Sequence, residues 1–220
     1  MTQEIKKRII TSFFLITLLY LMYLYSFILI ISLIIIGIIV WIEFYALMSK
    51  IFQAESFNNK LLLFFVKTVS LIYIASLVYV ICIAEAQNAN LKTQIFFAIT
   101  IAISSDIGGL VVGSFIKGKK LTKISPKKTI SGSIGSFCFS PLCVPFFMDE
   151  FIGYNFSILI LITLVVSLVT QVGDLFVSFI KRKANVKDTS DLLPGHGGFL
   201  DRVDGIIFAI PFLLFLFYFF

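Results

Sequence analysis

Long runs of apolar residues alternate with short polar segments along the chain. A transmembrane helix needs roughly 20 apolar residues to cross about 30 Å of hydrocarbon. The first run, residues 9–47, is long enough for two such helices, with a turn near Tyr25 and Ser26. Further spans are predicted at residues 61–84, 94–116, 130–148, 155–170 and 203–220. The pattern therefore predicts an all-α, multi-pass membrane protein with about seven transmembrane helices.

The fifth predicted span is the weakest, because Pro141 and Pro145 interrupt it. Proline is nevertheless tolerated in membrane helices when neighbouring groups satisfy the freed carbonyls. No internal repeat or low-complexity linker is visible, so we expect a single membrane domain over residues 1–220.

Composition supports lipid as the solvent of this chain. Apolar residues make up 59% of it and its mean hydropathy is +1.04, whereas the apolar share of soluble domains is about half. The net charge of +6 comes from basic residues that border the spans, without a soluble basic domain. This excludes a nucleic-acid partner and favours anionic head groups or nucleotide phosphates.

The positions of the basic residues predict the orientation, because positive charge is retained on the cytoplasmic side. With the N-terminus inside, all of the 18 Lys and Arg residues except Lys67 and Lys92 fall in cytoplasmic segments. Lys67 lies early enough in its span to reach the cytoplasmic surface. The opposite loops carry Glu85, Asp149 and Glu150. We therefore expect an N-in, C-out topology, with the first apolar run retained as an anchor rather than cleaved as a signal peptide.

The first polar cluster, residues 104–109, lies midway along the fourth predicted span and contains Asp106. Ionisable groups in lipid cost several kcal/mol, which makes them candidates for function. Asp106 either lines a site or is hydrogen-bonded between helices, and spacing alone leaves both open. Gly109 and Gly113 provide a small-residue spacing that allows another backbone to approach closely.

The second cluster is a loop, residues 117–129, in which lysines alternate with hydroxyls and glycines. Lysine supplies a point charge for phosphate, and hydroxyls with free amides at a helix start supply further donors. The candidate phosphate-binding residues are Ser125, Lys127, Lys128 and Thr129. The alternative is an ordinary positive anchor on anionic lipid.

The third cluster follows the sixth span. If the helix continues, five polar residues lie on one face of it: Gln171, Asp174, Ser178, Lys181 and Arg182. Pro194 and the glycines around His196 predict a turn. Asp201 and Asp204, three residues apart, are then expected to share a face at the head of the last span.

Carboxylates and water are the ligands that suit Mg²⁺, which usually takes one or two protein carboxylates plus substrate phosphates. Asp174 and Asp201 are the candidate ligands. The alternative is that they form buried ion pairs with Lys181, Arg182 or Arg202. For His196, the single histidine, catalysis, phosphate contact and a structural role all stay open.

The stretch from Ser178 through Lys187, Asp188 and Pro194–Gly198 to Asp204 resembles the signature of phosphatidate cytidylyltransferases, also called CDP-diacylglycerol synthases. Further segments at residues 105–113, 125–129 and 171–175 resemble other motifs of that family, in family order. The resemblance covers roughly residues 100–210. Residues 1–95 match as generic membrane helices, which makes residues 96–220 the expected catalytic half.

The resemblance implies magnesium-dependent transfer of a cytidylyl group from CTP to phosphatidate, giving CDP-diacylglycerol and pyrophosphate for phospholipid biosynthesis. It implies catalytic roles for Asp174, Asp201, Lys181, Arg182 and Asp204, with Asp174 and Asp201 as magnesium ligands. The remaining implied substrate-binding or phosphate-binding residues are Asp106, Ser125, Lys127, Lys128, Thr129, Ser178, Lys187, Asp188, His196 and Arg202. The family also suggests a homodimer.

Val177, Ser131, Ser114 and the pair Gly109–Leu110 depart from the family pattern. Three alternatives therefore stay open: a catalytically weakened relative, a small-molecule or ion transporter, and a structural membrane subunit that associates through Gly109 and Gly113. A composition rich in Ile, Lys and Phe is typical of AT-rich bacterial genomes and predicts a bacterial inner membrane, with the site facing the cytoplasm.

Overall fold

The structure is a computed structural model that describes residues 3–52, 57–87, 89–122 and 124–219. The regular elements in this part of the chain are helical, apart from two isolated β-bridges. The α-helices are α1 (Gln3–Leu24), α2 (Ser26–Ile51), α3 (Phe57–Gln87), α4 (Ala89–Ile116), α5 (Ile130–Phe139), α6 (Phe156–Lys183), α7 (Leu200–Val203) and α8 (Ile206–Phe219), and a 3₁₀ helix covers Ser140–Phe147. The predicted all-α class is confirmed.

Six helices in the described part are long and apolar enough to cross a membrane. The predicted turn between the first two spans is confirmed, since α1 ends at Leu24 and α2 begins at Ser26. The predicted weakness of the fifth span is also confirmed. It consists of α5 followed by a 3₁₀ helix that contains Pro141 and Pro145.

The seventh predicted span, residues 203–220, is corrected by the structure. Val203 ends the single-turn helix α7, Asp204 and Gly205 form a turn, and α8 begins only at Ile206. With 14 described residues, α8 is shorter than the roughly 20 residues that a perpendicular span needs. Asp201 and Asp204 therefore do not share one helix face as predicted.

The chain divides into two compact units. The first is formed within Met1–Glu85 and Ile180–Val203, and the second within Ala86–Phe179 and Asp204–Phe220. In the first unit, α1 packs on α2 and α2 packs on α7. Leu47 and Leu200 are among its most buried side chains.

In the second unit, α4 packs against α5, the 3₁₀ helix and α8. The close approach predicted for Gly109 and Gly113 is confirmed. A Cβ added at Gly109 would lie 2.7 Å from Ser136 Oγ, and one at Gly113 would lie 3.3 Å from Gly132 Cα. Small residues on both helices thus bring α4 and α5 together at the wall of a cavity.

Candidate active site

A cavity of about 520 Å³ lies in the second unit. Its walls come from α4, from the loop at residues 117–129, here called the lysine loop, and from α5 and α6. It brings together six residues that the sequence nominated: Asp106, Ser125, Lys127, Lys128, Thr129 and Asp174.

Asp106 lines this cavity from α4. Which of the two roles left open for it applies stays a prediction. The buried serine beside it makes the contacts between helices. Ser105 Oγ lies 2.9 Å from Ser167 Oγ of α6, and Ser105 O accepts a hydrogen bond from Ser136 Oγ of α5 at 2.7 Å. Ser105 therefore joins the three helices next to the cavity that Asp106 lines.

The lysine loop folds back on itself before α5. Leu121 N donates to Lys128 O at 2.8 Å, and Ile130 N donates to Lys119 O at 2.9 Å. Thr129 caps α5, because its Oγ1 accepts from Gly132 N at 3.0 Å. This fold presents Lys127 and Lys128 at the cavity. Lys123, counted among the cytoplasmic lysines, lies outside the described residues.

Asp174 and Lys128, which both line the cavity, form an ion pair. Each side chain is about a quarter exposed, at 26% and 27% respectively. The second carboxylate oxygen, Oδ1, accepts a longer hydrogen bond from the buried Ser178 hydroxyl at 3.4 Å. Asp174 is therefore a solvent-accessible carboxylate balanced by a lysine from the predicted phosphate-binding loop.

A ring of hydrogen bonds joins three helices beside the cavity. Ser133 Oγ of α5 donates to Gln171 Oε1 of α6 at 2.5 Å, and Gln171 Nε2 donates to Ser167 Oγ at 3.5 Å. The bond between Ser105 Oγ and Ser167 Oγ and the bond from Ser136 Oγ to Ser105 O continue the set. The ring closes through the turn of α5 that carries Ser133 and Ser136. The polar stripe predicted along α6 thus begins at Gln171, whose side chain is hydrogen-bonded to α5.

In the first unit, Lys181 and Asp201 form a second ion pair, with Nζ 2.5 Å from Oδ1. The Asp201 side chain is only 4% exposed. Its Oδ2 accepts from Thr189 N at 2.8 Å, Thr189 Oγ1 at 2.9 Å and Gly198 N at 3.0 Å. Burial raises the pKa of Asp201, but the hydrogen bonds from Lys181, Thr189 and Gly198 outweigh it, so the pKa lies below its ordinary value.

This pairing matches, for Asp201, the ion-pair alternative stated from the sequence. Asp174 instead pairs with Lys128, a partner that the alternative did not include. No group of three or more His, Cys, Asp or Glu side chains that could hold a metal occurs among the described residues. The predicted arrangement of one or two carboxylates with substrate phosphates is a different one and stays a prediction.

The predicted turn around His196 is confirmed. Gly195 and Gly197 have φ values of 77° and 83°, which favour glycine, and His196 N donates to Leu193 O at 2.8 Å. Arg202 closes the turn by donating to His196 O through Nε at 3.1 Å and Nη2 at 2.7 Å.

Helix α1 also holds this turn. Thr11 Oγ1 donates to Pro194 O at 2.9 Å, and Ser12 Oγ lies 3.2 Å from His196 Nε2. Burial, reinforced by the charges of Arg202 and Arg8, lowers the pKa of His196. The neutral imidazole is therefore the favoured form at neutral pH.

Four further predicted residues are neither among the residues that line the cavity nor members of the Lys181–Asp201 pair. Arg182, Lys187 and Asp188 are exposed, and Arg182 Nη1 donates to Val186 O at 3.2 Å. Asp204 is buried in the second unit, where its Oδ1 accepts from Gly205 N at 2.8 Å.

The most consequential residue missed by sequence reasoning is Glu43 of α2. It is 3% exposed and accepts four hydrogen bonds from the segment around Asp201. An acidic residue inside a long apolar run was a signal that could have identified it. Its partners could not be predicted from the sequence, because they are distant along the chain; Thr189, for example, is 146 residues away.

Comparison with known proteins shows which family this chain belongs to. The pattern of the cytidylyltransferase family matches residues 1–220. The chain is similar to phosphatidate cytidylyltransferases of Bacillus subtilis (strain 168), 40% identical over 126 residues, and Staphylococcus aureus (strain COL), 42% identical over 132 residues. These alignments cover 56% and 59% of this chain, and 47% and 50% of the relatives. The chain thus spans about half the length of these curated relatives, and it belongs to the cytidylyltransferase family.

Proposed function

We propose that this chain transfers a cytidylyl group from CTP to phosphatidate, giving CDP-diacylglycerol and pyrophosphate. The observation that carries the proposal is the cavity in which Lys127, Lys128 and Asp174 meet. Its volume of about 520 Å³ lies within the usual range of small-ligand sites. Cations beside a carboxylate, in a chain whose described part contains six candidate membrane spans, suit phosphate groups carried by a nucleotide and a lipid.

The proposed reaction needs no covalent protein nucleophile. A phosphate oxygen of phosphatidate attacks the α-phosphorus of CTP and forms a new P–O bond. The bond from that phosphorus to the oxygen bridging to the β-phosphorus breaks, and pyrophosphate leaves with the electron pair. Such transfers depend mainly on positioning and charge neutralisation. In the proposal, Lys127 and Lys128 bind phosphate oxygens, with Ser125 and Thr129 as neighbouring hydroxyls.

Asp174 and Asp201 are the proposed magnesium ligands. Asp174 fits this role, because its carboxylate is accessible in the cavity and hard oxygen donors suit Mg²⁺. At Asp201, Oδ2 already accepts three hydrogen bonds, so only Oδ1, now beside Lys181, has room for a cation. Magnesium, when bound, would neutralise charge on the nucleotide phosphates.

Further roles carried by the family resemblance are proposals of the same kind. Lys181, Arg182 and Arg202 are proposed to contact phosphates, with Lys187, Asp188 and His196 as nearby substrate-binding residues. Ser178 is proposed to orient Asp174, to which it donates a hydrogen bond. Asp106 is proposed to contact substrate in the cavity, and Asp204 to support the reaction from its turn.

The proposed setting is a bacterial inner membrane, with the N-terminus and the substrate sites on the cytoplasmic side. The distribution of lysine and arginine supports this orientation. CTP is a cytoplasmic nucleotide and phosphatidate a membrane lipid, so both substrates would be present at that face. Association into a homodimer stays a prediction.

The test is conversion of radiolabelled CTP and phosphatidate to CDP-diacylglycerol by the detergent-purified chain, with magnesium or with EDTA. Asp174→Asn is compared with Asp149→Asn, which removes the same charge from an exposed position away from the cavity. We expect magnesium-dependent product from the wild type and the control, and none from Asp174→Asn.

Absence of product from well-folded wild type would contradict the proposal. Uptake of a labelled solute by vesicles containing the protein would then favour the transporter, and inactivity in both assays a weakened or structural relative. If Asp174→Asn forms as much product as the wild type, the proposed reaction stands but Asp174 has no essential role in it.

A further inference from the structure

Glu43 is a carboxylate buried in an otherwise apolar helix. It lies in α2, within a candidate membrane span, and is 3% exposed. Burial of a carboxylate is unfavourable unless hydrogen-bond donors compensate it. A carboxyl group at this position therefore needs a dense set of hydrogen bonds, and the structure supplies one.

All four donors to Glu43 come from one short stretch of chain. Oε1 accepts from Ser190 Oγ at 2.6 Å and Phe199 N at 3.1 Å, and Oε2 accepts from Thr189 Oγ1 at 3.0 Å and Leu200 N at 2.7 Å. These residues lie at the two ends of residues 189–200, here called the signature loop. Glu43 therefore fixes both ends of that loop against α2.

The same loop supplies the donors to Asp201. Gly198 N donates to Asp201, whereas the next two amides, of Phe199 and Leu200, donate to Glu43. Thr189 Oγ1 lies between the two carboxylates, 3.0 Å from Glu43 and 2.9 Å from Asp201. Its single hydroxyl proton can serve only one carboxylate at a time. The hydrogen bonding of Glu43 and of Asp201 is therefore coupled.

The close fit extends to Gly198. A Cβ added there would lie 2.5 Å from Glu43 Oε1, so the loop backbone approaches the carboxylate as closely as glycine permits. Asp201 in turn holds Lys181 through its other oxygen, Oδ1. A continuous set of contacts thus runs from Glu43 through the loop to the Lys181–Asp201 pair.

We propose that Glu43 is a positioning residue for cytidylyl transfer, which acts by fixing the signature loop and thereby orienting Asp201 and Lys181. The inference rests on the proposed function. Glu43 itself does not touch substrate in this account. Outer partners that orient metal-binding side chains typically contribute about 10- to 100-fold to metal affinity or activity, and we expect a loss of activity of that size when Glu43 is changed.

The test compares Glu43→Gln with Asp191→Asn, which removes one negative charge from an exposed position in the same loop. We expect Glu43→Gln to lower kcat while KM for phosphatidate stays nearly constant, because misplacement affects the transition state more than binding. Hydrogen exchange at the amides of Phe199 and Leu200 should become faster in Glu43→Gln. Asp191→Asn should leave kcat and exchange unchanged.

A double-mutant cycle separates positioning from general stability. Thr189→Val removes the hydroxyl between the two carboxylates, and Thr189→Ser retains it. If Glu43 acts through Thr189, the double variant Glu43→Gln/Thr189→Val should be little worse than Glu43→Gln alone, and Thr189→Ser should restore most of the activity that Thr189→Val loses. Should Glu43→Gln fail to fold, Ser190→Ala replaces it in the cycle, since it removes one bond and retains the charge.

Wild-type kcat in Glu43→Gln would overturn the positioning role while the proposed function stands. Multiplicative losses in the cycle would overturn the coupling of Glu43 to Asp201 through Thr189. No product from the wild type would instead remove the proposed function, and the positioning role with it. Unchanged exchange at Phe199 and Leu200 in Glu43→Gln would overturn the loop-fixing step irrespective of activity.

Discussion

The two lysine–aspartate pairs differ in their exposure to solvent. Asp174 and Lys128 are each about a quarter exposed, whereas Lys181 and Asp201 are 11% and 4% exposed. Exposed pairs contribute little to stability because water and ions screen them, whereas a buried charge left without its partner is costly. The same substitution should therefore have different effects at the two aspartates.

We predict that Asp201→Asn lowers the free energy of unfolding by about 3–5 kcal/mol, and that Asp174→Asn lowers it by about 0–1 kcal/mol. Asn at position 201 would leave the Lys181 charge buried and would turn an amide group toward existing donors. The measurement is an unfolding titration of the detergent-purified chain with a denaturing detergent. Equal losses for the two variants would contradict the difference in burial.

The His196 turn should become less stable in mild acid. The pKa of His196 lies below its ordinary value of 6.5, so the unfolded turn binds a proton more readily than the folded turn. The associated stability is fully present above the ordinary value and is lost as the pH falls through the lowered pKa. Hydrogen exchange at the amides of His196 and Gly197, corrected for the chemical exchange rate, measures this loss.

His196→Gln is the control for that experiment, because it removes the only imidazole in the chain. We expect the protection of Gly197 to become independent of pH in this variant over the range where imidazole titrates. An unchanged pH dependence would assign the effect to another group.

Single residues were predictable where their chemistry is local in sequence. The lysine loop carries its lysines and hydroxyls together, so Lys127, Lys128 and Thr129 could be nominated from composition. Glu43 could not be assigned to the signature loop, because its contacts with Ser190 and Leu200 depend on how distant segments pack. Long-range hydrogen bonds of this kind leave no periodic trace in a sequence.

At the scale of elements, the α4–α5 contact depends on the absence of side chains. A Cβ at Gly108 would lie 2.5 Å from Gly135 O, a rigid backbone atom. A Cβ at Gly37 in α2 would meet only side-chain atoms, the nearest being Val78 Cγ2 at 3.0 Å. Glycine is therefore required sterically at the first position and replaceable at the second.

We predict that Gly108→Ala destabilises the chain by about 1–3 kcal/mol, because overpacking forces α4 and α5 apart. Gly37→Ala should be neutral or stabilising by up to about 1 kcal/mol, since alanine favours a helix. The unfolding midpoints of both variants in detergent provide the comparison. A stable Gly108→Ala variant with full activity would contradict the tight contact between the two helices.

The helices themselves follow from hydropathy, because apolar runs in lipid must satisfy their backbone groups internally. Their ends were less predictable. The sixth span was predicted to residue 170 with a possible continuation, and α6 extends to Lys183. The prediction of a last span at residues 203–220 was wrong, because Asp204 and Gly205 form a turn and α8 begins only after it. Apolar composition alone does not reveal such a turn.

At the scale of the whole molecule, the orientation proposed from charge can be tested with cysteine labelling. Position 149 follows the fifth span and position 187 follows the sixth, so the N-in proposal places them on opposite sides. With the native cysteines replaced, we predict that Asp149→Cys reacts with a membrane-impermeant maleimide in intact cells. Lys187→Cys should react only after permeabilisation, and the reverse pattern would overturn the N-in proposal.

The ring of hydrogen bonds among α4, α5 and α6 has a consequence for how the helices assemble after insertion. Lipid tails are as apolar as leucine, so contacts between apolar helix surfaces alone do not favour one axial alignment over another. Sliding α5 by one residue would break the bonds of Ser133 and Ser136 to the other two helices. The ring therefore selects one axial register of the three helices among many that would bury similar apolar surface.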